Sequence, residues 1–196
     1  MIGALLMTVA ACIAAKPVDP KKGPAVPESM YLAGTKTPDT AALGGFGPSM
    51  HLPVKLRSLV SFPAGELSVR VVRHKAVEPG EKAETLLWIA NRTKGDAWLS
   101  ACDSRVYLVL ERKGEDGKWQ AVEGMPTTSC GNSFHRVAAG PGEGWSFAVV
   151  PTEGKETLRY RLLPDGAHAG KGARAAVVSN EFKGSLPERM KPPAKK

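Results

Sequence analysis

Between Glu66 and Lys183 apolar positions recur with a period near two. Leu67, Val69 and Val71 alternate with Ser68 and Arg70, the spacing of a strand with one buried face. Glu84 to Asn91 is a nearly unbroken apolar run containing Trp88 and reads as a central strand, with Val77-Glu78-Pro79-Gly80 as the turn before it. Val106 to Glu111 and Lys118 to Glu123 form a predicted hairpin across Lys113-Gly114-Glu115-Asp116-Gly117, where Asp-Gly supplies the positive φ of a tight turn. Gly140-Pro141-Gly142-Glu143-Gly144 turns the chain into Trp145 to Val150, and Trp145, Phe147 and Val149 share one face. Leu158, Tyr160 and Leu162 repeat that scheme with Arg159 and Arg161 between them, and Ala175 to Phe182 closes the set. No segment sustains a period of 3.6. The pattern predicts an all-β domain of about seven or eight short strands in two packed antiparallel sheets.

The flanks read differently. Ile13 to about Phe62 holds seven prolines interleaved with Gly23, Gly34, Gly44, Gly45 and Gly47, which disfavours regular structure and predicts a disordered tether. Within it, Met50 to Leu59 is apolar enough to lie against the domain. Residues 184–196 return to Pro and Lys and are expected to be a disordered basic tail. The predicted organisation is therefore a signal segment at 1–11, a linker at 12–65, a β domain at 66–183 and a tail at 184–196.

Charge becomes informative once placed. The chain carries a formal +8, but residues 66–183 hold 17 Lys and Arg against 15 Asp and Glu, so +6 belongs to the flanks. A nucleic-acid interface needs basic and aromatic residues interleaved on one folded face; the pattern shows none, and no nucleic-acid partner is expected.

Val9-Ala10-Ala11-Cys12 after an apolar run resembles a bacterial lipobox. The resemblance implies cleavage before Cys12, acylation of its thiol and amine, and attachment to a membrane by lipid chains, each buried CH₂ contributing about 0.8 kcal/mol. The run from Ile2 to Ala11 is shorter than the roughly 20 apolar residues that span a bilayer, and no Lys or Arg precedes it, which places the expected precursor start upstream of Met1. Ile13, where Asp would favour inner-membrane retention, points to the outer membrane, facing the periplasm or the cell surface. With Cys12 lipidated, Cys102 and Cys130 remain as an even pair in an oxidising compartment and are expected to form a disulfide. Closing that loop of about 29 residues would contribute roughly 3 to 4 kcal/mol.

Asn91-Arg92-Thr93 at a strand end, Tyr107-Leu108-Val109-Leu110-Glu111 followed by Asp116-Gly117-Lys118-Trp119, Pro141-Gly142 before Trp145-Ser146-Phe147, and Leu158-Arg159-Tyr160-Arg161 are together similar to bacterial immunoglobulin-like domains, which recur on exported lipoproteins. The order also resembles the β-sandwich of the Bacillus intracellular proteinase inhibitor family. The resemblance spans about residues 66–183 and implies an immunoglobulin-like antiparallel β-sandwich. Its matched positions are scaffold positions, so it carries fold and not activity. The lipobox and the cysteine pair depart from the inhibitor pattern and argue against an intracellular inhibitory role.

Chemistry-bearing residues are sparse. Cys130 and His135 are five apart, but a Cys102–Cys130 bond would remove the nucleophile. Ser146 lacks the second glycine of a nucleophile elbow. His51, His74, His135 and His168 show no metal-ligand spacing, so no metal or cofactor is expected. Glu115-Asp116 and Glu153-Glu156 flank turns, as solvated carboxylates do. Asn91-Arg92-Thr93 fits a glycosylation sequon, which a bacterial lipoprotein would seldom use. Trp88 and Trp145 read as core, and Trp119 as an edge cover of the core. Two features remain: Trp98, in an expected turn Gly95-Asp96-Ala97-Trp98, and the loop Gly124 to Ser133. That loop is long for a hairpin, carries Met125, Thr127, Thr128, Ser129 and Asn132, and is pinned by Cys130. Loops held on a rigid scaffold carry recognition in many folds. The expected function is a non-enzymatic, lipid-anchored envelope protein presenting loops to a protein partner. The alternatives are a proteinase inhibitor acting through such a loop and an envelope polysaccharide-binding module.

Overall fold

The computed structural model describes residues 31–42, 44–56, 61–74, 84–122, 131–149, 154–166 and 170–186. Cys12, the Val77-Glu78-Pro79-Gly80 turn, Met125 to Cys130, His168 and the last ten residues lie outside them. The described residues are all-β. Twelve strands run in chain order: β1 (Val54–Lys55), β2 (Leu67–His74), β3 (Glu84–Asn91), β4 (Ala97–Cys102), β5 (Arg105–Val106), β6 (Leu108–Lys113), β7 (Trp119–Ala121), β8 (Phe134–Ala139), β9 (Glu143–Ala148), β10 (Glu156–Leu162), β11 (Val177–Val178) and β12 (Phe182–Gly184). The only helical turn among the described residues is a 3₁₀ turn at Gly131–Ser133.

These strands form three antiparallel sheets where the sequence pattern predicts two. One has four strands in the order β1-β9-β3-β2, one has three in the order β5-β4-β8, and one has five, β11-β10-β6-β7, with β12 also paired to β10. The count exceeds seven or eight because β1, β5 and β11 are two-residue pairings, too short for period two to register. Strands β4 and β8 were not predicted at all. Residues 105–113 divide between sheets: Arg105 and Val106 pair with β4, and Leu108 onward pairs with β10. The β6–β7 hairpin matches its prediction, with Gly117 at φ 75°.

The alternating positions meet in one core. Val69, Val71, Leu87, Ile89, Trp145 and Phe147 of the four-stranded sheet join Leu108, Leu110, Leu158, Tyr160 and Leu162 of the five-stranded sheet and Leu99, Ala101, Val137 and Ala139 of the three-stranded one.

Residues 31–56 correct the linker assignment. Tyr31 and Ala33 belong to the core, Ala33 N–H donates to the Ser104 carbonyl at 2.8 Å, and Val106 N–H donates to the Tyr31 carbonyl at 3.2 Å. The Trp145 indole N–H donates to the Gly34 carbonyl at 2.9 Å, and β1 pairs with β9. Gly34 suits this approach because a Cβ there would lie 2.2 Å from the Ser49 carbonyl oxygen. Prolines exclude a long strand here, yet isolated backbone pairings and two core side chains suffice to hold the segment. The domain also ends later than residue 183: Gly184 and Leu186 are buried, and Leu186 N–H donates to Glu156 at 3.0 Å.

The predicted strand Ala175 to Phe182 is interrupted by a bulge. Val178 opposes Arg161 and Phe182 opposes Leu158, so three residues face two across the break. Ser179 Oγ accepts the Tyr160 N–H at 2.9 Å in place of a carbonyl. Asn180 turns to the edge of β2, where its amide accepts from Val71 N–H at 2.9 Å and donates to Val71 C=O at 3.1 Å. One side chain thereby ties two sheets together and covers part of an exposed strand edge.

Asn91 is fully buried and not a surface acceptor. Its amide donates to the Gly95 and Ala139 carbonyls, both at 2.8 Å, and its oxygen accepts from Thr93 N–H and Oγ. Asn91→Asp would remove both donated bonds and bury a charge against two carbonyls. The expected loss is about 3 kcal/mol or more, read as a lower urea midpoint with unchanged slope.

Candidate functional site

The outer side of the three-stranded sheet holds an open groove of about 500 Å³, lined by residues that include Asp39, Ser100, Tyr107, Phe134, Arg136 and Asp165. Alternation along β8 builds it: Val137 and Ala139 face the core while Phe134 and Arg136 face out, and Phe134 is 45% exposed. The pairing register places Ser100 opposite Arg136 and Trp98 opposite Ala138, so Trp98 and Arg136 are diagonal neighbours. The Arg136 guanidinium carbon lies 4.9 Å from the centre of the Trp98 ring, a cation–π distance.

Two aspartate–arginine clamps flank this pair. Asp39 accepts from Arg136 Nη2 at 2.7 Å and from its backbone N–H at 2.8 Å. Asp165 accepts from the Arg174 side chain and from its backbone N–H at 2.6 Å, while Arg174 Nη2 reaches the Trp98 carbonyl at 2.6 Å. Both guanidiniums remain about half exposed, 48% for Arg136 and 47% for Arg174. The groove thus has fixed cations and aromatic surface with no net charge imposed by these pairs.

The clamps are pH-sensitive in a defined direction. The Arg136 hydrogen bond holds the Asp39 carboxyl below its usual range, Arg174 does the same for Asp165, and Lys36 for Glu143 at the β8–β9 turn. A folded-state pKa below the unfolded one contributes stability that is complete above the unfolded value, about 4, and is lost as pH falls through the folded value. The thermal midpoint is therefore expected to be flat from neutrality to about pH 5 and to fall below about pH 4. Asp39→Asn and Asp165→Asn should each flatten that fall, and an acid limb unchanged by both would refute the assignment.

Beneath the groove, His135 sits in a buried clamp. Phe46 stacks on its ring at 3.9 Å, Nδ1 faces the Ser133 carbonyl at 3.2 Å, and Nε2 lies 3.4 Å from Ser104 Oγ. A carbonyl opposite Nδ1 calls for the proton there, leaving Nε2 as acceptor. The Ser104 hydroxyl instead donates to the Gly47 carbonyl at 2.7 Å, and the residue is only 2% exposed. This arrangement holds the 46–49 segment to the β4–β5 turn, whose Asp103 and Ser104 have positive φ of 47° and 63°. Asp103 adds a bond from Gly47 N–H at 3.1 Å. It is a structural tie and not a nucleophile–base pair.

The chain matches no family model, no curated protein and no solved structure.

Of the residues singled out by sequence, Trp98 lies in strand β4 and not in a turn, because β8 pairs with Ala97 onward and draws it into the sheet. It is partly buried beneath Arg136, which lines the groove. Asn132 is exposed beside Gly45, with Phe134 two residues on. Met125, Thr127, Thr128, Ser129 and Cys130 lie outside the described residues. Cys102 is buried, its thiol is free, and burial raises its pKa. No disulfide joins any two described residues. Among the described residues no group of three His, Cys, Asp or Glu side chains is placed to hold a metal ion, and no helix is long and apolar enough to cross a membrane. Sequence missed Asp39, Phe134, Arg136, Asp165 and Arg174, which come from four separate segments and share no motif.

Proposed function

We propose that this chain is a non-enzymatic, lipid-anchored protein of the cell envelope whose immunoglobulin-like sandwich binds a protein partner through the groove of Phe134, Arg136 and Asp165, with Trp98 and Arg174 packed against Arg136 and Asp165. The observation that carries the reading is the groove's composition. Exposed Phe134 and half-exposed Arg136, with Trp98 and Arg174 beside them, are residue types enriched at protein interfaces, and the arginines are already ordered by Asp39 and Asp165, which lowers the entropic cost of association. Anchoring through Cys12 belongs to the same proposal, and an intact mass of the membrane-extracted protein tests it.

A photoreactive residue at position 134 in the membrane-bound protein tests the groove. The expected result is a discrete adduct with one envelope protein, lost when Arg136 is replaced by Ala and Trp98 by Ala. Absence of a discrete adduct, or an adduct indifferent to both replacements, would count decisively against the groove.

A further inference from the structure

The outward face of the five-stranded sheet carries an arrangement that the groove does not use. Leu110, Leu158, Tyr160 and Leu162 face the core, so alternation places Glu111, Lys113, Arg159 and Arg161 on the opposite face of β6 and β10. Register sets Glu111 across from Arg159 and Val109 across from Arg161, with Trp119 of β7 across from Lys113.

Glu111 supports both arginines at once. Its Oε2 accepts from Arg159 Nε at 2.8 Å and its Oε1 from Arg161 Nε at 2.5 Å. The Glu111 side chain is 6% exposed, while those of Arg159 and Arg161 are 22% and 30% exposed. Trp119 lies 4.1 Å from the Arg159 guanidinium carbon and further fixes its plane. Each guanidinium spends only its Nε on the carboxylate. The terminal nitrogens of both have no partner among the described residues.

A single buried carboxylate that holds two cations leaves one positive charge uncompensated. Lys113 and Lys183 stand on the same face, Lys113 bonded to Glu181 at 3.2 Å and Lys183 to Thr157 Oγ at 2.8 Å. Four cations thus share the face with two carboxylates. Residues i and i+2 of a strand are about 7 Å apart, so two forks of free N–H donors flank one space. Arg forks match tetrahedral oxyanions through paired, charge-assisted hydrogen bonds.

We propose that Arg159 and Arg161, oriented by Glu111 and Trp119, form a binding site for the phosphate group of a phosphorylated molecule. The free donors meet the phosphate oxygens, and Glu111 remains a positioning residue beneath them, satisfied by both Nε–H groups. A phosphosugar and a lipid headgroup present the same chemistry to this face. The site shares no residue with the groove, so its failure leaves the groove reading untouched.

Proton–nitrogen correlation spectra of the full chain would follow the Arg159 and Arg161 Nε–H and Trp119 indole signals during titration with inorganic phosphate, a hexose phosphate and the unphosphorylated hexose. Sedimentation with phosphatidic acid vesicles, against phosphatidylcholine vesicles, gives the lipid arm. Saturable shifts with phosphate and the hexose phosphate, and none with the hexose, are expected. Arg161→Lys keeps the charge and removes the fork; it should weaken binding by about tenfold. Arg159→Gln should do the same for affinity. Arg161-dependent binding confined to vesicles identifies a headgroup source, and binding confined to the hexose phosphate a soluble one. No saturable response to any phosphate-bearing probe, or wild-type affinity in Arg161→Lys, would overturn the proposal.

Discussion

Trp145→Ala is expected to lower the unfolding free energy by about 3 to 5 kcal/mol, and Trp145→Phe by about 1 to 3 kcal/mol. Trp145 is fully buried, stands in β9 between β1 and β3, and its indole N–H reaches the buried Gly34 carbonyl. The alanine variant leaves a cavity in the core where the four-stranded sheet meets the N-terminal arm, residues 31–56. The phenylalanine variant keeps most of the ring but strands that carbonyl without a donor, so its cost isolates the arm's anchor. Urea titration of both variants provides the measurement. A Phe variant as stable as the parent would show that the Trp145–Gly34 bond contributes nothing to holding the arm.

Removing residues 1–56 is expected to destroy cooperative folding. The deletion strips Tyr31 and Ala33 from the core, removes β1 from the edge of β9, and cuts both hydrogen bonds that the arm makes to Ser104 and Val106. Burying a tyrosine-sized side chain contributes on the order of 2 to 3 kcal/mol. With the Gly34 anchor and the bonds of Gly47 to Asp103 and Ser104 also gone, the sum approaches the roughly 5 to 15 kcal/mol that keeps a domain folded. A truncated chain that melts at the same temperature as the full one would return residues 31–56 to the role of passive tether. Tyr31→Ala gives the graded version of the test and should lower the midpoint without abolishing the transition.

Legibility in the sequence followed the length of the local signal. Leu67 to Val71, Glu84 to Asn91, Leu158 to Leu162 and the Asp116-Gly117 hairpin each carry several alternating positions or a turn that demands a particular residue, and each lies where the pattern puts it. Strand β8 escaped because Phe134-His135-Arg136-Val137-Ala138-Ala139 mixes an exposed aromatic, a buried histidine and small residues. Strand β4 escaped because Gly95-Asp96-Ala97-Trp98 reads as a turn, whereas the strand already begins at Ala97. The groove was the least legible feature: Trp98 alone was singled out, and for the wrong local structure. Its other members acquire meaning only through ion pairs between residues 97 apart in one clamp and nine apart in the other.

The sequence by itself determined that this protein is built of strands, which residues of its longer strands face inward, and that Arg159 and Arg161 point away from the core. Those properties depend on a two-residue period that every strand imposes on its own neighbours. Only the tertiary structure decided that the proline-rich segment from Tyr31 to Leu56 belongs to the domain, that Asn180 joins two sheets, and that Glu111 lies beneath both arginines. Each of these rests on a pairing between distant segments, and such a pairing leaves no periodic trace in the residues that make it.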